Sequence, residues 1–176
     1  MSNDSNRGGS SVGVSDRSRA LAGKYLTFEL AGESYGLAIL KVREIIGLLN
    51  IAAVPRTPHF IKGVVNLRGK VIPVVDLRLK FGLPEVESTE QTCIIVVDLG
   101  KVQTGLVVDK VSEVLDIPAD VIDETPSFGA SVETDFILGM GKVSDSVKIL
   151  LDIEKVLGEA DMRDVAGLSE SSAHGG

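Results

Sequence analysis

The stretch Gly63-Val-Val-Asn-Leu-Arg-Gly-Lys-Val-Ile-Pro-Val-Val-Asp-Leu-Arg78 decides the interpretation of this chain. Two apolar runs flank a polar corner, Asn66 to Lys70. This pattern predicts a strand, a tight turn and a second strand, with Gly69 supplying a positive φ. The turn presents the guanidinium of Arg68 at the surface between two stiff strands. No nucleophile, base or set of metal ligands stands beside it, so the stretch favours docking over catalysis.

Composition predicts one mainly β domain with unfolded ends. Of 176 residues, 44% are hydrophobic but only 4% are aromatic, so the core must consist of Val, Ile and Leu, which favours strands. Residues 1–22 and 166–176 are polar and contain too few large apolar groups to offset the entropy of ordering. We therefore expect disordered tails around a single domain at 23–165, which is large enough to bury a core without disulfides.

Charge and cysteine content narrow the cellular context. The single cysteine, Cys93, excludes an internal disulfide and suggests a reducing compartment. The chain has no apolar leader and no run of about 18 apolar residues, so we expect a cytoplasmic protein without membrane insertion. The net charge of −7 argues against nucleic acid as the partner.

The chain repeats a pattern of Gly-Leu, three further positions, Lys-Val-x-Glu and two apolar residues. The two copies run over 35–46 and 104–115, and a later pattern of strand, Asp and short helix recurs at 71–82 and 147–158. Asp76 and Asp152 occupy matched places, and helix capping explains both better than a catalytic role. The repeat predicts two similar subdomains made of short strands, as in small β-barrels. Residues 41–46 fit either a short helix or a strand.

From Tyr25 to Leu157 the chain resembles the CheW family, the coupling proteins of bacterial chemotaxis. The opening stretch carries this resemblance most specifically, and four further segments fit: Leu40 to Glu44, Pro58 to Gly63, Gly105 to Leu115 and Ile149 to Leu157. The resemblance implies two intertwined five-stranded SH3-like barrels with short helices, no catalysis, no cofactor and no metal. It also implies a bridge between the cytoplasmic tips of chemoreceptors and the histidine kinase CheA, at receptor arrays on the inner face of the membrane. It does not mark the kinase-facing residues.

The resemblance also implies a receptor-binding set: Arg68, Glu44, Val42, Cys93 and Val114. Each has a structural alternative. Arg68 fits a solvated turn charge, and Glu44 fits a repeated structural pattern, since its counterpart Glu113 is present in the second half. Val42 and Val114 are residue types that more often pack in a core. Cys93 begins an apolar run and fits a small buried hydrophobic residue.

Three other functions compete with the adaptor. The first is a free-standing relative of the regulatory domain of CheA, acting in another two-component signalling complex. The second is an enzyme on a small barrel, which requires a convergent polar set that the sequence does not contain. The third is a nucleic-acid-binding barrel, which requires a basic face with aromatic stacking platforms.

Overall fold

The computed structural model describes residues 15–100, 102–123, 136–158, 161 and 163–168. The fold is mainly β with short helices, as predicted. The strands are β1 Gly23–Leu30, β2 Glu33–Ala38, β3 Val42–Gly47, β4 Ile61–Leu67, β5 Lys70–Asp76, β6 Cys93–Leu99, β7 Val102–Val108, β8 Lys110–Ile117, β9 Ile122–Asp123, β10 Ile137–Val143 and β11 Ser146–Leu151. The helices are α1 Asp16–Leu21, α2 Leu77–Lys80 and α3 Ile153–Val156, and single 3-10 turns span Ile39–Lys41 and Ala119–Val121. No helix in these described ranges is long and apolar enough to cross a membrane.

Both sheets combine strands from the two halves of the chain. Sheet 1 has the order β8-β1-β2-β11-β10-β9, and sheet 2 has the order β3-β6-β7-β5-β4. Each central hairpin, β1–β2 or β6–β7, is thus flanked by strands of the other half. The two-residue strand β9 extends one edge of sheet 1, and without it each sheet has five strands. The expected interlacing of two five-stranded units is confirmed.

The repeat seen in the sequence is also a repeat of topology. Strands β8, β1, β2, β11 and β10 of sheet 1 correspond in order to β3, β6, β7, β5 and β4 of sheet 2. In each sheet one parallel pair joins the halves, β2 with β11 and β5 with β7. Matched glycines line these joints: a Cβ on Gly105 would stand 2.7 Å from Ile94 Cγ2, and one on Gly36 would stand 3.1 Å from Leu150 Cδ2. The crowding at Gly36 comes from β11 of the other half, whereas the closest atom at Gly105 belongs to β6 of its own hairpin and Val74 of β5 lies 3.6 Å away.

Strand β6 is buried on both faces, which explains its continuous apolar sequence. Ile95 and Val97 pack in the largest cluster, which draws residues from both sheets. Ile94 and Val96 point the other way, into a smaller cluster formed within sheet 2. A third cluster fills sheet 1 around Tyr25 and neighbouring apolar residues. The largest cluster, which we call the shared cluster, contains side chains of both sheets. It fixes the two sheets relative to each other and therefore shapes the surface between them.

The predicted hairpin of β4 and β5 is present, and its turn is of type I′. Arg68 has φ +55° and Gly69 has φ +85°, so both central residues are left-handed, whereas the sequence predicted this only for the glycine. The side-chain oxygen of Asn66 accepts a hydrogen bond from the N–H of Gly69 at 2.8 Å. The predicted caps are confirmed as well, since Asp76 and Asp152 accept hydrogen bonds from the first N–H groups of α2 and α3.

Part of the expected N-terminal tail, residues 15–22, lies among the residues that the structure describes. Helix α1 lies within the expected tail and is capped by Ser15, whose hydroxyl accepts from the N–H of Ser18 at 3.0 Å. The Ser18 hydroxyl is buried and donates to the carbonyl of Ile122 at 3.4 Å. Tyr25 donates to the carbonyl of Leu21 at 2.7 Å. These contacts with sheet 1 order a helix that its polar composition alone does not predict.

The structure also describes three residues of the expected C-terminal tail, 166–168, and the boundary at residue 165 stays a prediction. Residues 161 and 163–168 are helical, and we call them the C-terminal segment. Val165 is fully buried and Leu168 packs against the shared cluster. Asp161 accepts from Lys80 Nζ at 2.6 Å. The rest of both expected tails, residues 1–14 and 169–176, lies outside the described residues.

Candidate functional site

Arg68 and Glu44 form an ion pair across the surface of sheet 2. Glu44 lies on β3 and Arg68 follows β4, and these strands are the two edges of the sheet. The sheet therefore curls far enough to bring its edges together. An isolated bridge between Ala52 and Val64, after β3 and on β4, closes the same side. The Arg68 side chain remains 68% exposed and that of Glu44 32%, so the guanidinium keeps donors directed to solvent.

Strand β3 resolves the ambiguity at residues 41–46 in favour of an extended chain. Burial alternates along it, and Val42, Glu44 and Ile46 are the more buried set. Val42 packs against the shared cluster. A register shift against β6 falls between Val42 and Glu44, so the strand is kinked between these two candidate positions. Ile45, on the opposite face, is 44% exposed and was missed, because alternation alone does not tell which face meets solvent.

Cys93 lies directly opposite Gly47, at the start of β6. It is half-buried and packs against the shared cluster. Burial raises the pKa of the Cys93 thiol, and a hydrogen bond to the backbone of Val111 opposes this rise only in part. The thiol therefore stays protonated at neutral pH and is a poor nucleophile. This contact also joins β6 of sheet 2 to β8 of sheet 1 at the surface between the sheets.

Val114 lies on β8, three residues beyond Val111, and is 48% exposed. Val111 itself packs against the shared cluster, as do Val42 and Cys93. The structure thus connects Val42, Cys93 and Val111 through one apolar base. Val114 lies further along β8 and is exposed to solvent. We call the surface of Val42, Cys93, Val111 and Val114 the inter-sheet surface. The Arg68–Glu44 pair is not brought into this group, because Glu44 lies opposite Val96 of the smaller cluster whereas Val42 lies opposite Val97 of the shared cluster.

A second ion pair, Arg78 with Asp109, was missed by the sequence analysis. Arg78 Nε and Nη2 each donate to a carboxylate oxygen of Asp109 at 2.8 Å, and the N–H of Ala31 donates to the same carboxylate at 2.9 Å. Partial burial raises the pKa of Asp109, but the hydrogen bonds from Arg78 and Ala31 and the charge of Arg78 outweigh it and hold that pKa below its usual value. The network fastens α2 to the β1–β2 turn of sheet 1 and to the connection from β7 of sheet 2 to β8 of sheet 1, which indicates a structural role.

The inter-sheet surface has the chemistry of a docking site. Its contents are apolar side chains and one protonated thiol, and the exposed Arg68–Glu44 pair is a further candidate contact on sheet 2. Across the described ranges, no three His, Cys, Asp or Glu side chains are grouped closely enough to hold a metal ion. A helix with an apolar face and polar edges matches such a surface.

Comparisons with known proteins agree with this geometry. The family model described as a CheW-like domain matches residues 24–161. The chemotaxis protein CheW of Klebsiella aerogenes is 41% identical over 148 residues, which cover 84% of this chain and 89% of that protein. The probable chemotaxis protein CheW of Rhizobium etli is 30% identical over 136 residues, covering 77% and 88% of the two chains.

Among solved structures, the scaffolding protein TtCheW from Thermoanaerobacter tengcongensis is similar with a TM-score of 0.71 and 36% identity. The match covers 78% of this chain and 93% of that one. The fold, the interlaced repeat and the extent of these matches agree over the same residues, and the chain belongs to the CheW family of chemotaxis proteins.

Proposed function

We propose that this chain is a non-enzymatic adaptor that couples chemoreceptors to the histidine kinase CheA in the cytoplasm, at receptor arrays on the inner face of the membrane. The inter-sheet surface receives the helical hairpin of a receptor tip, with Arg68, Glu44, Val42, Cys93 and Val114 as contacts. A separate face pairs with a similar barrel of the kinase. The alternative, a relative of the regulatory domain of CheA in another complex, gains no support from the relatives named above.

The observation that carries this proposal is the exposed ion pair of Arg68 with Glu44, which we take as the charged rim that a receptor helix meets. Arginine offers five donors in a planar fork, and one carboxylate occupies only part of it. The remaining donors suit a carboxylate or the carbonyls at the end of a receptor helix. Glu44 holds the fork against the sheet, so less side-chain entropy is lost when the receptor binds.

The apolar base supplies the second half of the mechanism. Val114 is half-exposed, whereas Val42 and Cys93 are supported from below by the shared cluster. A receptor helix laid over these side chains removes apolar area from water without requiring rearrangement of the core. The charged rim then sets the direction and register of the helix, because misplaced charges cost affinity.

The test is a pair of binding titrations, one against a soluble receptor tip and one against CheA. We expect Arg68→Ala to bind the receptor at least roughly tenfold more weakly, equivalent to about 1.4 kcal/mol, with CheA affinity unchanged. The matched control is Arg43→Ala, which removes an exposed arginine of β3 that pairs with Asp98 instead. Unchanged receptor binding by Arg68→Ala, or an equal loss in the Arg43 variant, would refute the proposed site.

A further inference from the structure

A cavity of about 270 Å³ is lined by the ends of α2 and α3 together with Phe136, Gly158 and Asp161. None of its lining residues belongs to the candidate receptor set, and the seven-residue strand β5, about 20 Å long, separates α2 from the Arg68 turn. The cavity combines two aromatic rings, two lysines and one carboxylate. The side chains that supply these groups and the adjoining apolar edge are Lys80, Phe81, Phe136, Lys155, Val156 and Asp161.

The aromatic wall of this cavity is rigid. The rings of Phe81 and Phe136 stack with centroids 5.4 Å apart and planes at 11°. Tyr35 lies 5.7 Å beyond Phe81, and Phe28, which is fully buried, lies 5.7 Å beyond Tyr35. This row of four rings runs from the core to the cavity. Because its inner end is fixed in the core, the outer rings are held ready to stack against a further ring.

The charges of the cavity leave one cation unpaired. Lys80 is satisfied twice, since its Nζ contacts Asp161 at 2.6 Å and lies 4.5 Å from the centroid of the Phe60 ring. Lys155 is exposed and forms no ion pair with any residue that the structure describes. The three charged groups therefore sum to +1, in a chain whose formal net charge is −7. An ammonium without an ion-pair partner favours an anionic ligand over a cationic one.

We propose that this cavity binds a small aromatic carboxylate. Its ring stacks on the outer face of the Phe81–Phe136 pair and its edge meets Val156, while its carboxylate pairs with Lys155. The volume suits a ligand of roughly ten to twelve non-hydrogen atoms, below the range typical of drug-sized sites.

The experiment is a titration of the full chain with 3-phenylpropionate, followed by the NMR signals of the phenylalanine rings. We expect saturable shifts with a dissociation constant of about 1 mM or below. The neutral analogue 3-phenylpropanamide tests the charge, and we expect it to bind roughly fivefold more weakly or worse. Melting curves of every variant show that the fold is intact.

Two variants test the assigned roles. Lys155→Gln removes the unpaired charge and is expected to weaken the carboxylate roughly fivefold without changing the affinity for the amide. Phe136→Leu keeps an apolar side chain but removes the ring, and a loss of roughly 2–10-fold is expected for both probes. Lys142→Gln removes an exposed lysine far along β10 and serves as the matched control, with unchanged binding.

The proposal fails if 3-phenylpropionate produces no saturable shift, or if the amide binds within twofold of the carboxylate. It also fails if Lys155→Gln and Lys142→Gln behave alike. The receptor titrations of the proposed function use different residues, so these failures leave that function untouched.

Discussion

Replacing Arg68 by asparagine separates the turn energetics of this residue from its role in binding. Arg68 holds φ +55° at the first central position of a type I′ turn, before Gly69. A left-handed backbone costs most L-residues roughly 1–2 kcal/mol, and asparagine tolerates it better, which is why Asn-Gly is preferred in such hairpins. We therefore expect Arg68→Asn to gain about 1 kcal/mol from the turn.

The variant also loses the ion pair with Glu44. Because the Arg68 side chain is 68% exposed, this pair contributes only about 0.2–1 kcal/mol to the free energy of unfolding. The net change is therefore between about zero and 1 kcal/mol of added stability, or a rise of up to about 4 °C in melting temperature. Receptor affinity is expected to fall at least roughly tenfold, so that stability and binding move in opposite directions.

The chain offers a matched control in a second hairpin. Ala31 and Gly32 form the same turn between β1 and β2, with φ +51° and +83°. Ala31→Asn makes the same turn substitution without removing an ion pair, so the stability difference between the two variants isolates the contribution of the Arg68–Glu44 pair. Urea unfolding and a receptor titration measure both quantities. A melting temperature of Arg68→Asn that falls by several degrees, or unchanged receptor affinity, would refute the reasoning.

Three further predictions concern stability. Asp109→Asn should lower the free energy of unfolding by about 2 kcal/mol at pH 7, because it disrupts the two hydrogen bonds from Arg78. The pKa of Asp109 is lower in the folded protein than in the unfolded chain. The stabilisation by Asp109 is therefore complete above the unfolded pKa, near 4, and is lost as the pH falls through the folded pKa. Gly105→Ala should cost about 1–3 kcal/mol, because its Cβ would stand 2.7 Å from the fully buried Ile94. Val165→Ala should cost about 2 kcal/mol by leaving a gap beneath the C-terminal segment.

Chemical denaturation at several pH values measures all three, with controls chosen from similar but uncrowded positions. Asp116→Asn disrupts an exposed pair with Lys24, 3.4 Å long, and should change stability by less than about 0.5 kcal/mol. Gly47→Ala places its Cβ in open space and should be tolerated. A loss in Asp109→Asn that persists unchanged at pH 2, a neutral Gly105→Ala, or a neutral Val165→Ala would each contradict the packing described here.

The hairpin, the helix caps and the repeat were predictable because each depends on neighbours in sequence. Asp76 caps a helix that begins at the next residue, and Gly69 closes a turn within four residues. Strand partners were not predictable in this way, because alternation gives the face of a strand but not its neighbour. Helix α1 was missed for the same reason, since the bond from Ser18 to Ile122 spans 104 residues.

In the candidate site, too, features set by sequence neighbours were predictable and contacts between distant residues were not. The exposed position of Arg68 was predictable from its turn. The choice of the five receptor-binding candidates came from the family resemblance. Its pairing with Glu44, 24 residues earlier, depends on how far sheet 2 curls. The ion pair of Arg78 with Asp109 depends on the approach of the two sheets, for which neither residue carries a local signal. Which of the five candidate residues contact a receptor stays a prediction.

The exchange of strands between the halves also has a consequence for synthesis on the ribosome. Strand β1 pairs with β8, as Leu26 does with Val114, and β2 pairs with β11, as Leu37 does with Leu151. Sheet 1 therefore cannot be completed until nearly the whole domain has emerged, and its first hairpin waits with both edges unpaired. Strands that are far apart in sequence pair slowly, and unpaired strand edges can pair with strands of other nascent chains. The same interlacing that joins the two sheets thus makes this small domain fold as one late event rather than half by half.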